Sequence, residues 1–369
     1  MLVNDILKEP ELWRGEIVKM QKMNAPVILF GAGNTREFNL QYFRGLGICP
    51  AAFCDNSPGK VGGKVNDLDI LSFEEVKRKY PDAYFYITTQ MYYRELREQI
   101  IEGGYAPEQI SWYDVVFQLQ WEKECMRYYE EHMQEIEQLY QCLADDYSKK
   151  VLQNRLLFLQ TRNHKYLLEI RERKQYFDEA LIDFTKVECF IDLGMYTGDT
   201  ILQFITESKG RYREIYGFEP DENIYQTAKE NLKEYDNIVL VKKAASDCDG
   251  RIQVAQALGV MQTIENGVFG ENHKEENSFE VCKLDTYFEK QPISNALLKL
   301  DIEGAEMAAL RGGTEWIKKN RPGIAVCVYH KQEDILEIPF FCKSLILDYK
   351  VYLRHYSDTQ TETVCYLIP

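Results

Sequence analysis

Short apolar runs alternate with amphipathic stretches through residues 25–115 of the chain. The strand-like runs are Pro26–Phe30, Ala51–Cys54 and Ala83–Thr88, and the helix-like stretches are Asn39–Gly45, Phe73–Tyr80 and Tyr92–Ile101. The segment Asn56–Asp67, rich in glycine, proline and asparagine, is predicted to be a loop. Strands that alternate with helices predict βαβ units and a mainly parallel sheet.

A second alternating series fills residues 185–369. Its strand-like runs are Glu188–Leu193, Glu214–Phe218, Ile238–Lys242, Ala296–Leu300, Ile324–Tyr329 and Lys350–Tyr356. The closing letters LRHYSDTQTETVCYLI indicate an antiparallel hairpin at the end of this sheet. The predicted fold class is therefore α/β, with two Rossmann-like domains.

The segment between the two series, residues 116–184, contains neither glycine nor proline. Its apolar residues recur at helical spacing, as in Met133, Ile136, Leu139 and Leu143. A protein-binding coiled coil is the alternative, but the heptads are not sustained. We therefore predict a Rossmann-like domain at 1–115, a helical linker at 116–184 and a second α/β domain at 185–369.

Composition narrows the classes of function. The formal charge of −15 opposes sequence-independent binding to nucleic acid and to anionic membranes. No apolar run approaches the ~20 residues that span a bilayer, and the first residues lack the basic start of a secretory signal. The ten cysteines form no CxxC pair, so neither disulfides nor a zinc site are expected. We expect a cytoplasmic protein without nucleic-acid partner or membrane insertion, of undetermined oligomeric state.

The most informative motif is FIDLGMYTGDT at residues 190–200, where a strand leads into a turn with Gly194 and Gly198. Glycines allow the backbone to approach a ligand, and the N–H groups at the start of the following helix favour anionic groups. The spacing differs from the dinucleotide pattern G-x-G-x-x-G. It suits S-adenosylmethionine (SAM), whose ammonium Asp192 would receive; an ordinary turn is the alternative.

Two further strand ends complete this candidate cofactor site. Glu219, followed by Pro220, lies 25 residues after Gly194, where a carboxylate can hold both ribose hydroxyls. A carboxylate beside a helix start is the alternative interpretation, although the next residues are better caps. After the third strand, the small residues Ala245 and Ser246 leave room for adenine.

Acidic residues follow the fourth strand in the letters LKLDIEGAE. Asp301 should point into the crevice at the carboxyl ends of the strands. Glu303 and Glu306 either reach the same crevice or complement a helix dipole. A divalent metal at these carboxylates is possible but not expected.

Two histidines fall near the predicted acceptor side. His330 ends the fifth strand, and His355 lies in the terminal hairpin beside Arg354. An imidazole near its reference pKa of ~6.5 can accept a proton at cytoplasmic pH, so His330 is a candidate general base that Asp301 would orient. Arg354 and His355 are candidates for binding the acceptor; structural roles are the alternative.

The motifs FIDLGMYTGDT, YGFEPD, AASDCDG, CKLDTYF and LLKLDIEGAE, in this order, resemble the FkbM-like family of SAM-dependent methyltransferases over residues 176–369. The resemblance implies a class I methyltransferase fold and methyl transfer, usually to oxygen of sugars or sugar-bearing natural products. The residues expected to bind SAM are Asp192, Gly194, Met195, Tyr196, Thr197, Gly198, Asp199, Thr200, Glu219, Pro220, Ala245, Ser246 and Asp301. Asp301 and His330 are the expected catalytic residues, and Glu303, Arg354 and His355 the expected acceptor contacts.

The amino-terminal strand leads into a second glycine turn, Gly31-Ala32-Gly33, and Asp55 ends the next strand. Arg36 stands where a dinucleotide fingerprint has its third glycine. The block resembles Rossmann-like domains attached to sugar-modifying enzymes. Binding of a nucleotide or nucleotide sugar and a ligand-free domain both remain open, and an NAD site is not expected.

The sequence thus predicts a SAM-dependent O-methyltransferase acting on a sugar, nucleotide sugar or glycan. A non-catalytic scaffold in polysaccharide assembly is one alternative. An NAD-dependent sugar oxidoreductase is another, although a catalytic Tyr-x-x-x-Lys is not recognisable. SAM is the one cofactor expected, with a small-molecule or glycan acceptor.

Overall fold

The structure, a computed structural model, describes residues 6, 12–116, 127–253, 256–257, 260–261, 278–291 and 293–369. These residues form two compact units. The amino-terminal unit comprises residues 1–133, 150–171 and 357–360, and the carboxyl-terminal unit comprises residues 134–149, 172–356 and 361–369.

The amino-terminal unit is built on a five-stranded, mainly parallel sheet in the order β3-β4-β2-β1-β5. Its strands are β1 (Val27–Phe30), β2 (Ala52–Cys54), β3 (Lys64–Val65), β4 (Leu68–Leu71) and β5 (Tyr84–Ile87). Its first helices are α1 (Leu12–Lys22), α2 (Arg36–Gly45), α3 (Phe73–Lys79) and α4 (Tyr93–Glu102). Strand β1 is buried on both faces, so its sequence is apolar without alternation.

Two short strands of this sheet were not predicted from the pattern of apolar residues. Strand β3 lies inside the segment predicted as a loop, and β4 follows it; β3 pairs with β4 in the antiparallel direction. Such short strands are too brief for a period of two to be recognised.

The segment predicted as a linker contains helices in its described part, and residues 171–183 form turns and irregular structure. It contains α5 (Met133–Cys142), α6 (Asp146–Thr161) and α7 (Lys165–Leu168). In α5, Ile136 and Leu139 are buried, as their helical spacing predicts. The two units divide these helices between them, and residues 117–126 of the segment lie outside the described residues.

The carboxyl-terminal unit contains a seven-stranded sheet in the order β16-β17-β15-β14-β6-β7-β8. Its strands are β6 (Cys189–Leu193), β7 (Glu214–Phe218), β8 (Ile238–Val241), β14 (Ala296–Leu300), β15 (Gly323–Cys327), β16 (Lys350–His355) and β17 (Thr363–Ile368). Its remaining helices are α8 (Asp199–Glu207), α9 (Glu222–Leu232), α10 (Leu284–Tyr287), α11 (Glu306–Gly312), α12 (Thr314–Asn320) and α13 (Asp334–Leu345). Only β17 runs antiparallel to its neighbours, which confirms the predicted α/β class and terminal hairpin.

A small sheet beside the large one was not predicted. It contains β9 (Ala244–Ala245), β10 (Gly250–Gln253) and β13 (Ser278–Cys282) in the order β10-β13-β9. A separate two-stranded sheet pairs β11 (Gln256–Ala257) with β12 (Val260–Met261). The parallel pairing of β9 with β13 fixes Ala245 opposite Cys282. Segments of two residues carry no readable period, so this sheet depends on contacts made far along the chain.

The register of the central strands positions polar residues inside the large sheet. Asp192 of β6 is opposite Lys299 of β14 on one side and Gly217 of β7 on the other. Directly paired residues project to the same face. Because Gly217 has no side chain, this face has room for the turn that follows β6, where Met195 packs.

Among the described residues, no helix is long and apolar enough to cross a membrane.

We predict that Gly194→Ala destabilises the carboxyl-terminal unit far more than Gly210→Ala. Both glycines have positive φ, +78° and +68°, so both variants are strained by about 1–2 kcal/mol. A Cβ at position 194 would also collide with the backbone carbonyl of Asp301, whereas one at position 210 meets nothing within 4 Å. Overpacking of this kind adds about 1–3 kcal/mol. Denaturant unfolding of both variants measures the difference, and equal losses would contradict the collision.

Candidate active site

A cavity of about 490 Å³ opens at the carboxyl ends of β6, β7 and β14. The predicted site residues that line it are Gly194, Tyr196, Asp199, Thr200, Glu219, Pro220, Ala245, Asp301 and Glu303. Strand ends of a parallel sheet share one edge, which is why these dispersed residues meet.

The glycine turn lies against the neighbouring strand. The backbone N–H groups of Gly194 and Met195 both donate to the carbonyl of Phe218, at 3.0 Å each. Gly198, with φ of +85°, precedes α8, and no side chain caps that helix. The first turn of α8 therefore has backbone N–H groups and no capping carboxylate, and it reaches the cavity through Asp199 and Thr200.

A buried ion pair supports this turn from below. The Lys299 ammonium lies 2.8 Å from Asp192 Oδ1 and donates to the carbonyl of Gly194 at 2.7 Å. The side chains of Asp192 and Lys299 are 0% and 2% exposed. Burial raises the pKa of Asp192 to about 6, although Lys299 opposes that rise. Asp192 therefore stabilises the turn through its ion pair with Lys299, and it does not line the cavity.

Glu219 lies at the end of β7, as the sequence predicts. Its Oε1 accepts a hydrogen bond of 3.0 Å from the backbone N–H of Asp221, which itself caps α9. Burial raises the pKa of the Glu219 carboxyl above its ordinary value. The carboxylate thus lines the cavity in a partly desolvated setting, where a hydrogen bond to a ligand hydroxyl is strong.

Small and apolar residues form another wall of the cavity. Ala244 and Ala245 of β9 line it together with Phe279 of β13. Their pairing in the small sheet brings Phe279 to residues more than thirty positions earlier in the chain. The result is a flat apolar wall opposite the polar strand ends.

Asp301 is held by the hydroxyl of Tyr176, which donates to Oδ2 at 2.6 Å. The Tyr329 hydroxyl lies 3.4 Å from Oδ1 and is closer to Glu362 Oε1, at 3.2 Å. Burial alone would raise the pKa of Asp301, but the Lys299 ammonium and the Tyr176 hydrogen bond hold it below its ordinary value. Asp301 is therefore ionised at neutral pH and faces the cavity as a fixed carboxylate.

His330 lies among three carboxylates. Its Nδ1 is 3.0 Å from Glu306 Oε1, and its Nε2 is 3.5 Å from Asp301 Oδ1 and 3.6 Å from Glu303 Oε2. Burial disfavours a charged ring, yet these carboxylates, Glu306 foremost, raise the pKa of His330 to about 9. The sequence predicts an imidazole of ordinary pKa that accepts a proton at neutral pH. The structure corrects this expectation, because a ring surrounded by carboxylates already carries its proton.

Several predicted site residues have other surroundings. Met195 is fully buried in the core, and Ser246 is buried with its N–H on the carbonyl of Cys282. Thr197 contributes its carbonyl to a hydrogen bond from Asn231. Gly198 shapes the turn, but it is absent from the cavity wall, as are the others.

Arg354 and His355 also lie away from the cavity. Arg354 is buried and donates to Asp178 at 2.7 Å and to Asp145 at 2.8 Å. His355 is buried, with Nδ1 2.8 Å from the Thr363 hydroxyl. Both side chains hold the terminal hairpin in place and do not reach the cavity.

The residues of the cavity wall that were not predicted are Gln175, Tyr176, Phe218, Ile224, Lys243, Phe279, Lys299, Ile302 and Ala305. Lys299 had a signal, since it interrupts the otherwise apolar strand ALLKL. A lysine inside a buried strand requires a partner charge. Tyr176 and Gln175 lie in the segment predicted as a linker, and no pattern marks them.

The glycine turn of the amino-terminal unit is different. Asp55 Oδ2 accepts from the N–H of Ala32 at 2.7 Å and from Lys60 at 3.0 Å, while Oδ1 accepts from Ser57 at 2.8 Å. Burial would raise the pKa of Asp55, but these donors lower it below its ordinary value. A cavity of about 410 Å³ adjoins this turn through Gly31 and Gly33. Because Asp55 is engaged by its own turn, it is not poised for a ribose; a ligand for this unit stays a prediction.

The large sheet, with its glycine turn after β6 and carboxylates after β7 and β14, defines a class I methyltransferase fold. Residues 192–355 match the family model described as the Methyltransferase FkbM domain. This part of the chain is therefore similar to the FkbM methyltransferase domain.

One solved structure supports the fold. The crystal structure of Methyltransferase FkbM from Methylobacillus flagellatus KT is 21% identical, with a TM-score of 0.70, over 98% of this chain and 95% of that one. Fibrillarin from Aeropyrum pernix, in complex with SAM, is 10% identical with a TM-score of 0.34, over 51% of this chain and 69% of that one. The second likeness is too low to bear on this chain. The comparison with curated proteins found no match.

We predict that His330 titrates near pH 9 in the folded, metal-free protein, whereas buried His164 titrates near pH 4, because burial is the largest influence on its pKa and outweighs the hydrogen bond with the backbone of Asp358. Ring-nitrogen NMR of the intact chain, with single histidine variants for assignment, measures both. Since the folded pKa of His330 exceeds the ~6.5 of an unfolded chain, its stabilisation is complete below pH 6.5 and is lost as the pH rises through 9. The free energy of unfolding of the wild-type protein should therefore fall between pH 6.5 and pH 9, and it should fall less in the His330→Gln variant. Titration of His330 near 6.5 would contradict the ion cluster.

Proposed function

We propose that this protein binds SAM in the cavity at the ends of β6, β7 and β14 and transfers its methyl group to a hydroxyl of a sugar, nucleotide sugar or glycan. The observation that carries the proposal is the convergence of the Gly194 turn, the Glu219 carboxylate and the Asp301 carboxylate on one cavity. A cavity of about 490 Å³ lies within the size range of cofactor sites.

Each part of SAM finds a complementary group. The uncapped first turn of α8 suits the carboxylate of the methionine end. Glu219 suits the ribose hydroxyls, and the wall of Ala244, Ala245 and Phe279 suits the adenine ring. Acidic residues at the strand ends suit the positive charges of the ammonium and sulfonium groups.

The acceptor side favours a hydroxyl-rich molecule. Gln175, Tyr176, Asp301 and Glu303 line the cavity there, and they offer hydrogen-bond acceptors in excess of cations. Hydroxyl groups donate to such a lining.

When bound, SAM supplies a sulfonium-activated methyl group, so the protein mainly has to align the acceptor oxygen. Asp301 is fixed by Tyr176 and would accept a hydrogen bond from the acceptor hydroxyl, which holds the oxygen toward the methyl group. As the oxygen–methyl bond forms, the methyl–sulfur bond would break to leave the neutral thioether, and the hydroxyl proton would pass toward this carboxylate. His330, as a cation, keeps the surrounding carboxylates in place.

We predict that Glu219→Ala weakens SAM binding by about 1.5–3 kcal/mol, the range for hydrogen bonds to a charged group. Glu222→Ala is the matched control, because Glu222 lies three residues later, is exposed and pairs with Lys242 outside the cavity. Calorimetry with SAM measures both. Absence of SAM binding by the wild-type chain would favour a non-catalytic scaffold. Equal affinities of the two variants for SAM would mean that Glu219 does not bind the ribose.

We further predict that Asp301→Asn still binds SAM but loses about 10²–10⁴-fold in turnover, the range for removing a group that accepts a proton. The assay follows labelled methyl from SAM onto a panel of sugars, nucleotide sugars and glycans. Near-normal turnover of the variant would mean that Asp301 does not accept the proton. Oxidation or reduction of nicotinamide cofactors with these sugars would instead support an oxidoreductase.

A further inference from the structure

Beneath the acceptor side of the cavity lies a cluster formed by Asp301, Glu306 and His330. One ligand atom of each of these three residues lies within 4.8 Å of the others. Asp301 follows β14, Glu306 begins α11, and His330 lies just beyond the end of β15. The topology therefore brings together three residues from two adjacent strand ends, where the sequence analysis holds a divalent metal possible but not expected.

The polar atoms of this cluster are not satisfied by the protein. Glu306 is 0% exposed, its Oε1 accepts from the N–H of Ile302 at 2.9 Å, and its Oε2 has no hydrogen-bond partner among the described residues. The His330 side chain is 9% exposed, and its Nε2 likewise has no such partner. A buried carboxylate oxygen and a buried ring nitrogen without partners are costly unless a further group binds them.

The spacing suits two ligands of one cation better than a hydrogen bond. His330 Nε2 is 3.5 Å from Asp301 Oδ1, beyond the usual 2.7–3.2 Å range of an N–H···O hydrogen bond. Ligands that each lie about 2.0–2.2 Å from a common metal ion are separated by roughly 3–3.6 Å. Glu303 Oε2, at 3.6 Å from the same nitrogen, approaches from the exposed side.

We propose that Asp301, Glu306 and His330 form a binding site for one divalent transition-metal ion, with Glu303 flanking its open side. Two carboxylates and one imidazole suit Mn²⁺, Fe²⁺ or Zn²⁺ rather than Mg²⁺ or Ca²⁺, which prefer oxygen ligands. On binding, the ion replaces the proton of the ring.

The site opens toward the methyl acceptor, since Asp301 and Glu303 also line the cavity. In this position the ion takes hydroxyl oxygens of the acceptor as further ligands and lowers the pKa of the hydroxyl to be methylated. Two adjacent hydroxyls of one sugar ring fill two open positions, so a vicinal diol is the favoured acceptor class. This role in the reaction rests on the function proposed above, whereas binding of the ion does not.

The test is Mn²⁺ binding by the full-length chain after dialysis against a chelator, followed by the electron paramagnetic resonance signal of free Mn²⁺. We expect one Mn²⁺ per chain, and at least a ~10-fold weaker affinity in Glu306→Gln and in His330→Gln. Glu362→Gln is the matched control. Glu362 accepts a hydrogen bond from the Tyr329 hydroxyl at 3.2 Å and is not a proposed ligand, so this substitution removes one negative charge from the same region and leaves the proposed site intact. Circular dichroism shows whether each variant retains its fold.

Loss of the free Mn²⁺ signal with wild type and Glu362→Gln, but not with the two ligand variants, supports the site. An unchanged signal with wild type, or equal affinities of Glu306→Gln, His330→Gln and Glu362→Gln, overturns it. Methyl transfer to a vicinal diol that stops in chelator and returns with Mn²⁺ supports the role in the reaction. Stoichiometric Mn²⁺ binding without any methyl transfer would keep the metal site and reject the proposed function. Transfer that chelators leave unchanged would reject the role of the ion in the reaction.

Discussion

The ammonium of Lys299 ties the two central strands of the large sheet to the turn between β6 and α8. It pairs with Asp192 on the adjacent strand and donates to the carbonyl of Gly194. Replacing a buried ion pair by apolar residues is often harmless, but removing one partner leaves a buried charge and is strongly destabilising. The conformation of the cofactor turn therefore depends on a charge that lies below it.

The same ammonium influences the reaction centre. Lys299 lowers the pKa of Asp301, and its charge lies 5.3 Å from the ring of Tyr176, whose hydroxyl donates to Asp301. The turn that approaches the cofactor and the carboxylate that faces the acceptor thus share one electrostatic support. Correct placement of one requires correct placement of the other, because β6 and β14 are paired in register.

A second polar layer lies around His330. Glu306 is fully buried and Glu303 lies at the cavity, so negative charge is concentrated where the acceptor enters. A cation must compensate this charge, and the protonated ring does so in the absence of any other. Side chains whose pKa values are strongly shifted by burial together with specific charged neighbours cluster at functional sites.

Local signals in the sequence determined much of this protein. Apolar runs located the seven-stranded sheet, because buried parallel strands require apolar side chains on both faces. Turn glycines and acidic residues at strand ends located Gly194, Glu219 and Asp301, because ligands of such sheets bind where the strands end. These inferences needed only short stretches of chain.

Tertiary structure alone decided which of the remaining polar residues share an environment. The registers of β6, β14 and β15 placed Lys299 beside Asp192 and brought His330 to Glu306, residues that are far apart in the chain. The pairing of β9 with β13 brought Phe279 to the cavity, and the terminal hairpin turned Arg354 toward Asp145 and Asp178 instead of an acceptor. Burial and charge at a side chain are properties of its three-dimensional neighbours. The sequence could therefore name His330 as a functional candidate, but the carboxylates around it decided that its ring is cationic.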